Sequence, residues 1–178
     1  MISLYTKLIS FINTKVINLL PLPPKNRKEL KAFTGKFKYK ELPGGFISIV
    51  DDWEKKNIVE LQLPISAMNG KPWKIKCNKK IKYLLSLLFF EYNRLGYEKE
   101  YPITQLGCFV PRHKMSNPKR GLSIHSYGLA IDINWKTNGF GKNGDIPIYV
   151  VMLFEQYGFS WGGNWKTKDP MHFEFYSS

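Results

Sequence analysis

Two short segments, GLAIDIN at 128–134 and MHFEFY at 171–176, alternate polar and apolar residues with a period of two. That is the period of a strand with one face toward a core, so the chain must fold around two such strands. In the first, Ala130, Asp132 and Asn134 share one face, while Leu129, Ile131 and Ile133 turn to the core. In the second, His172, Glu174 and Tyr176 point one way and Met171, Phe173 and Phe175 the other. Gly128 lets the chain turn or approach closely, so His125 can fold back over the face bearing Asp132. Placed side by side, the strands bring His125, Asp132 and His172 together.

The rest of the chain supplies helices. IKYLLSLLFFEYNRLGYEK (81–99) is Leu-rich and apolar on most faces, and reads as a core helix stopped near Gly96. IPIYVVMLFEQYG (146–158) reads as a second, with Pro147 in its first turn and Gly158 at its C-terminal end. ITQLGCFV (103–110) is a further strand-like run. Helices beside short strands, without a regular βαβ rhythm, give an α+β fold whose small antiparallel sheet carries the site. We divide the chain into a domain over 25–178 and an N-terminal amphipathic helix with a Pro-rich linker over 1–24. That helix packs on the domain or, in the alternative, serves as a membrane-surface anchor or dimer helix.

Charge limits the partners. The 178 residues carry 27 Lys+Arg against 14 Asp+Glu, a formal charge of +13, with 43% hydrophobic and 15% aromatic residues. A chain this apolar folds, and a basic excess this large calls for an anionic partner such as nucleic acid, an acidic membrane or a cell wall. Residues 25–40 hold seven Lys/Arg against one Glu, interleaved with Phe33, Phe37 and Tyr39. They read as a solvated edge strand whose lysines discourage pairing. No nucleic-acid motif accompanies them, so nucleic acid is not the expected partner.

The N-terminus has no basic region before its apolar stretch, Lys7, Asn13 and Lys15 interrupt it, and no small-residue cleavage site follows. It is therefore not read as a secretion signal. Cys77 and Cys108 can form at most one bridge, and two free thiols, with Cys108 buried, are the preferred reading. The absence of Cys-x-x-Cys excludes a zinc knuckle.

Two imidazoles and one carboxylate match the ligand set of a catalytic zinc that keeps one position for water. Asp169, three residues before His172 with Pro170 between, is placed to exchange protons with that water and a leaving amine. Peptide hydrolysis also needs a cation for the developing oxyanion. Arg112 is the best candidate and Arg120 the second. Glu174 either supports His172 or makes a plain ion pair. Trp161 and Trp165 divide between groove wall and core, and His113 reads as an exposed loop residue.

Ser123-x-His125-x-x-Gly128-x-Ala130-x-Asp132-Ile133, joined to Asp169-x-x-His172-Phe173-Glu174, resembles the zinc D-alanyl-D-alanine carboxypeptidase and L-alanyl-D-glutamate endopeptidase family, which includes phage endolysins. The detailed likeness covers roughly residues 101–176; residues 30–70 fit loosely and 1–24 not at all. The resemblance implies Zn2+ on His125, Asp132 and His172, Asp169 as general base and acid, and Arg112 on substrate and transition state. It further places Ser123 along the site and Trp165 near the substrate groove. The expected activity is hydrolysis of peptidoglycan stem peptides. Asp at 169 after GFSWGGNW is similar to the endopeptidase branch; a carboxypeptidase or an inactive wall-binding protein of the same fold are the alternatives. The enzyme would act in the periplasm or cell wall, held there by its basic surface, after synthesis in the cytoplasm and release by another route.

Overall fold

In the structure, a computed structural model, residues 20–177 are described. The expected N-terminal helix lies outside the described residues, apart from the linker at its end. That linker is fastened rather than free: the Ser177 amide donates to the Pro24 carbonyl at 3.0 Å.

Helix α1, Arg27–Thr34, follows at once. Its start is a reciprocal cap: the Glu29 amide donates to Asn26 Oδ1 at 2.9 Å, and the Glu29 carboxylate takes the Lys25 amide at 2.8 Å. The edge-strand reading of 25–40 is therefore corrected. This local cap makes residues 27–34 helical, and only β1, Tyr39–Glu41, is strand, pairing antiparallel with β2, Ile47–Ile49. A short α2, Trp53–Asn57, leads into β3, Ile58–Ser66, and β4, Pro72–Asn78, which form an antiparallel hairpin.

The core forms between this hairpin and α3, Lys82–Arg94. Buried Ile81, Leu84, Leu85, Leu88, Phe89 and Tyr92 recur at three- and four-residue steps, the stripe of a helix face, against Leu61, Leu63 and Ile65 at the two-residue steps of β3. Each such large apolar side chain, once buried, contributes about 1.5–3 kcal/mol. Gly96, in the left-handed conformation at φ 83°, stops α3 as expected and opens α4, Tyr97–Glu100.

The four-stranded sheet runs in the order β5-β6-β8-β7, built from β5 Leu106–Gly107, β6 Ala130–Ile133, β7 Ser160–Trp161 and β8 His172–Glu174, all neighbours antiparallel. Helix α5, Ile148–Gln156, covers it with buried Val150, Val151 and Phe154, and Pro147 stands just before its first turn rather than within it. The architecture is α+β with small antiparallel sheets, as expected. The strands are shorter than their alternating runs; β6 ends because Asn134 turns to φ 47° and its Oδ1 accepts from the Thr104 amide at 2.8 Å.

Both cysteines are free and buried, and burial pushes the Cys77 thiol up to about 12. Among the described residues, no helix is long and apolar enough to cross a membrane.

Candidate metal centre

Strand register builds the centre. Asp132 on β6 stands opposite His172 on β8, and Asp132 Oδ1 lies 2.9 Å from His172 Nδ1. His125 arrives from a single 3-10 turn, Ile124–Tyr127, just before β6. Its Nε2 is 3.1 Å from Asp132 Oδ2 and 3.1 Å from His172 Nδ1. One ligand atom from each residue lies within 4.8 Å of the others. The sheet and turn thus unite the three residues that the sequence singled out.

Two local devices hold that turn. The Ser123 hydroxyl accepts from the His125 amide at 3.3 Å, capping it. At its other end Gly128, φ 65°, lies so close to β4 that a Cβ would meet the Asn78 amide nitrogen at 2.7 Å. Asn78 fastens the contact twice, its amide to the Gly128 carbonyl at 2.9 Å and its Nδ2 to the Tyr127 carbonyl at 3.0 Å. Only glycine combines this φ with this approach.

The protons on the two imidazoles decide what the centre can hold. His125 Nδ1 lies 2.6 Å from the Cys108 carbonyl, which only accepts, so Nδ1 donates. His172 Nε2 lies 3.2 Å from Glu174 Oε2 and donates to that carboxylate. Both outer nitrogens are thereby committed as donors, and the inner nitrogens of neutral rings present lone pairs to one another and to Asp132. Three converging acceptors with no donor among them repel unless a cation or a proton sits between them. This donor set, two imidazole nitrogens and one carboxylate with the imidazoles steered from behind, fits zinc.

The electrostatics agree. Burial works against charge on Asp132, but His125 and His172 overcome it and hold the carboxyl well below the usual range. Burial would depress His172, yet hydrogen bonds to Asp132 and Glu174 outweigh it and raise its pKa to about 9. Without a cation, a proton on His172 answers the acceptors.

Asp169 stands beside the cluster. Its amide donates to the Gly162 carbonyl at 2.9 Å and its carbonyl accepts from the His172 amide at 3.0 Å, which ties β8 to the Gly162–Asn164 turn. A Cβ at Gly162 would lie 2.6 Å from the Asp169 carbonyl oxygen, so this contact too requires glycine. Asp169 Oδ1 is buried and has no hydrogen-bond partner among the described residues. Burial pushes the carboxyl above its ordinary value and Asp132 adds to the push, while His172, His125 and Arg112 pull the other way.

The backbone of Arg112 is clamped on both sides. Its amide donates to Ser126 Oγ at 2.9 Å, that hydroxyl donates back to its carbonyl at 2.7 Å, and the neighbouring Pro111 carbonyl takes the Ile47 amide at 3.1 Å. Its charge reaches Asp169, whereas Arg120 contributes a backbone carbonyl elsewhere. That carbonyl corrects the reading of His113, which is 4% exposed rather than an exposed loop residue. Its Nδ1 faces the Arg120 carbonyl at 2.6 Å and its Nε2 faces Glu41 at 3.0 Å, so partners distant in sequence bury it.

Glu174, left open between two roles by sequence, is buried on His172. Trp161 donates to the Pro170 carbonyl at 2.7 Å and stacks on the buried Phe173, so it packs against the core. Trp165 stays 40% exposed with its ring centroid 5.3 Å from that of His172, on the open side. The Cys108 carbonyl is the contributor that sequence reasoning missed; a backbone acceptor leaves no side-chain signal.

No solved structure matches the chain. Residues 116–175, about a third of the chain, hold all three ligand candidates and Asp169, while Arg112 falls just before them. That segment matches the family described as D-alanyl-D-alanine carboxypeptidase, and over it the resemblance read from the motifs is borne out.

Proposed function

We propose that the chain is a zinc-dependent peptidase that cleaves peptidoglycan stem peptides at an L-alanyl-D-glutamate bond. The family match supports a peptidase acting on peptidoglycan. The observation that carries the zinc reading is the donorless meeting of His125 Nε2, His172 Nδ1 and Asp132. The choice of an endopeptidase rests on Asp at 169 after the GFSWGGNW run, and D-alanyl-D-alanine carboxypeptidase is the alternative.

His125, Asp132 and His172 would hold the ion. Zinc, when bound, supplies a Lewis acid that acidifies water and polarises a carbonyl. The chain's own residues do the rest. Asp169, raised by burial and with a free buried oxygen, takes the proton of the attacking water and returns it to the departing amine. Arg112, fixed by its clamped backbone, stabilises the charge that grows on the scissile carbonyl oxygen. Trp165 borders the open side, where a stem peptide would lie, and Ser123 holds the turn beneath it. The protein would act at the cell wall, where the +13 charge favours an anionic matrix.

Mass spectrometry of purified peptidoglycan treated with the zinc-loaded protein tests this reading. New L-alanine carboxyl ends are expected. Loss of terminal D-alanine alone would establish the carboxypeptidase, and no release from intact walls or muropeptides would overturn the peptidase.

A further inference from the structure

A second feature lies on the far side of the turn that carries His125. A cavity of about 420 Å³ opens between α1 and Gly121–Leu122, lined by Arg27, Lys31 and Lys36 and by the rings of Phe37, Tyr39 and Tyr127. No carboxylate lines it. Arg27 is built in rather than splayed into solvent: Nη2 donates to the Leu122 carbonyl at 2.9 Å, and the guanidinium lies 5.8 Å from the centre of the Tyr176 ring. A guanidinium has five N–H donors, so others remain for a ligand. Lys31 and Lys36 are exposed and take no ion pair among the described residues.

A neighbouring cavity of about 500 Å³ is lined by the same three cations together with Lys28. Arg27, Lys31 and Lys36 therefore stand on the divide between two basins. A lone small anion would need one basin. A polymer with charges at intervals would seat one charge on the divide and run into both.

We propose that this divide binds a phosphodiester group of an anionic sugar or polyol polymer. An arginine fork with two lysines suits the many acceptor oxygens of phosphate, and Tyr39, 39% exposed, offers a ring face for the apolar side of a sugar. Single-stranded nucleic acid is a poorer fit, because it needs several open rings in series. Here Phe37 is taken up by Trp53 and Tyr127, at centroid distances of 4.7 and 5.3 Å, and Tyr127 is only 6% exposed. Leu122 immediately precedes Ser123 and Tyr127 lies two residues after His125, so a polymer seated here is held near the candidate metal centre without entering it.

The proposal extends the peptidase reading by locating its hold on an anionic wall. Its test reads binding without turnover, so a failure to bind counts against the cavity alone and a failure to hydrolyse counts against the peptidase alone. The experiment is calorimetry of the full chain with poly(glycerol phosphate), with inorganic phosphate and with a single-stranded DNA of equal charge, at ~0.15 M salt where distant charges are screened. The test variant is Lys31→Glu with Lys36→Glu; the control, Lys55→Glu with Lys99→Glu, makes the same change in net charge elsewhere. The expected result is that poly(glycerol phosphate) binds more tightly than DNA or inorganic phosphate, and that the test variant loses about 10-fold or more while the control loses less than about 3-fold. Equal losses in the two variants, tighter binding of DNA, or no binding of poly(glycerol phosphate) would each overturn the proposal.

Discussion

The Glu174 carboxylate accepts the Nε2 proton of His172 at 3.2 Å, two residues along the same strand and on the same face. This contact turns Nδ1 inward toward Asp132 and His125, and it makes a buried acid part of the candidate metal centre without making it a candidate ligand. Glu174→Gln keeps the shape and removes the charge. Zinc affinity measured by chelator competition should fall about 10- to 100-fold, with the fold intact by circular dichroism. Unchanged affinity would reduce Glu174 to a plain ion-pair partner.

Asp169 has a separate signature. Asp169→Ala should keep zinc and lose turnover by about 10²–10⁴. As the proposed base, Asp169 must be unprotonated to act, and burial raises its pKa. With zinc bound, the ion's charge opposes that push, so the test is the limb itself: activity should decline on acidification as the Asp169 carboxyl protonates, and the residual activity of Asp169→Ala should lack that limb. A pH–rate profile of kcat/KM with the same acid limb in both proteins would assign it to another group.

Arg112→Ala should cost about 10²–10³ in kcat, the scale of losing one oxyanion-stabilising group. Zinc content should not change, because the guanidinium is no ligand. A change confined to KM would make Arg112 a substrate anchor with no part in the transition state.

Much of this centre was legible in sequence because strand period is local. GLAIDIN and MHFEFY put Asp132 and His172 on faces that antiparallel pairing could join, and Gly128 marked the turn. Other features depended on distant partners. The β3–β4 hairpin is the longest strand pairing among the described residues, yet it is not among the expected elements although residues 60–66 alternate and Asn69-Gly70 marks a turn. Pro64 inside the run and the lysines of β4 masked its period. The 25–40 stretch misled in the opposite way: its lysines suggested a strand edge, while Asn26 and Glu29 already spelled a helix cap. His113 reads as exposed in sequence because Glu41, one of the partners that bury it, lies 72 residues away.

Gly128 also tests the scaffold independently of chemistry. Gly128→Ala should destabilise by about 1–2 kcal/mol for the left-handed backbone and a further ~1–3 kcal/mol for crowding against Asn78 and Ile58. Urea unfolding of the zinc-free protein measures this. A change under about 0.5 kcal/mol would mean that β4 yields and the turn is not pinned there.

In the proposed centre, zinc is bound by the inward-facing nitrogens of His125 and His172 and by a carboxylate oxygen of Asp132. X-ray absorption at the zinc edge, on protein dialysed to saturation, tests it most directly. One zinc per chain is expected, with two imidazole nitrogens at about 2.0–2.1 Å and oxygen completing the shell, and with loss of that signal in His172→Ala. A sulfur shell at about 2.3 Å, or no stoichiometric zinc in the folded protein, would contradict it.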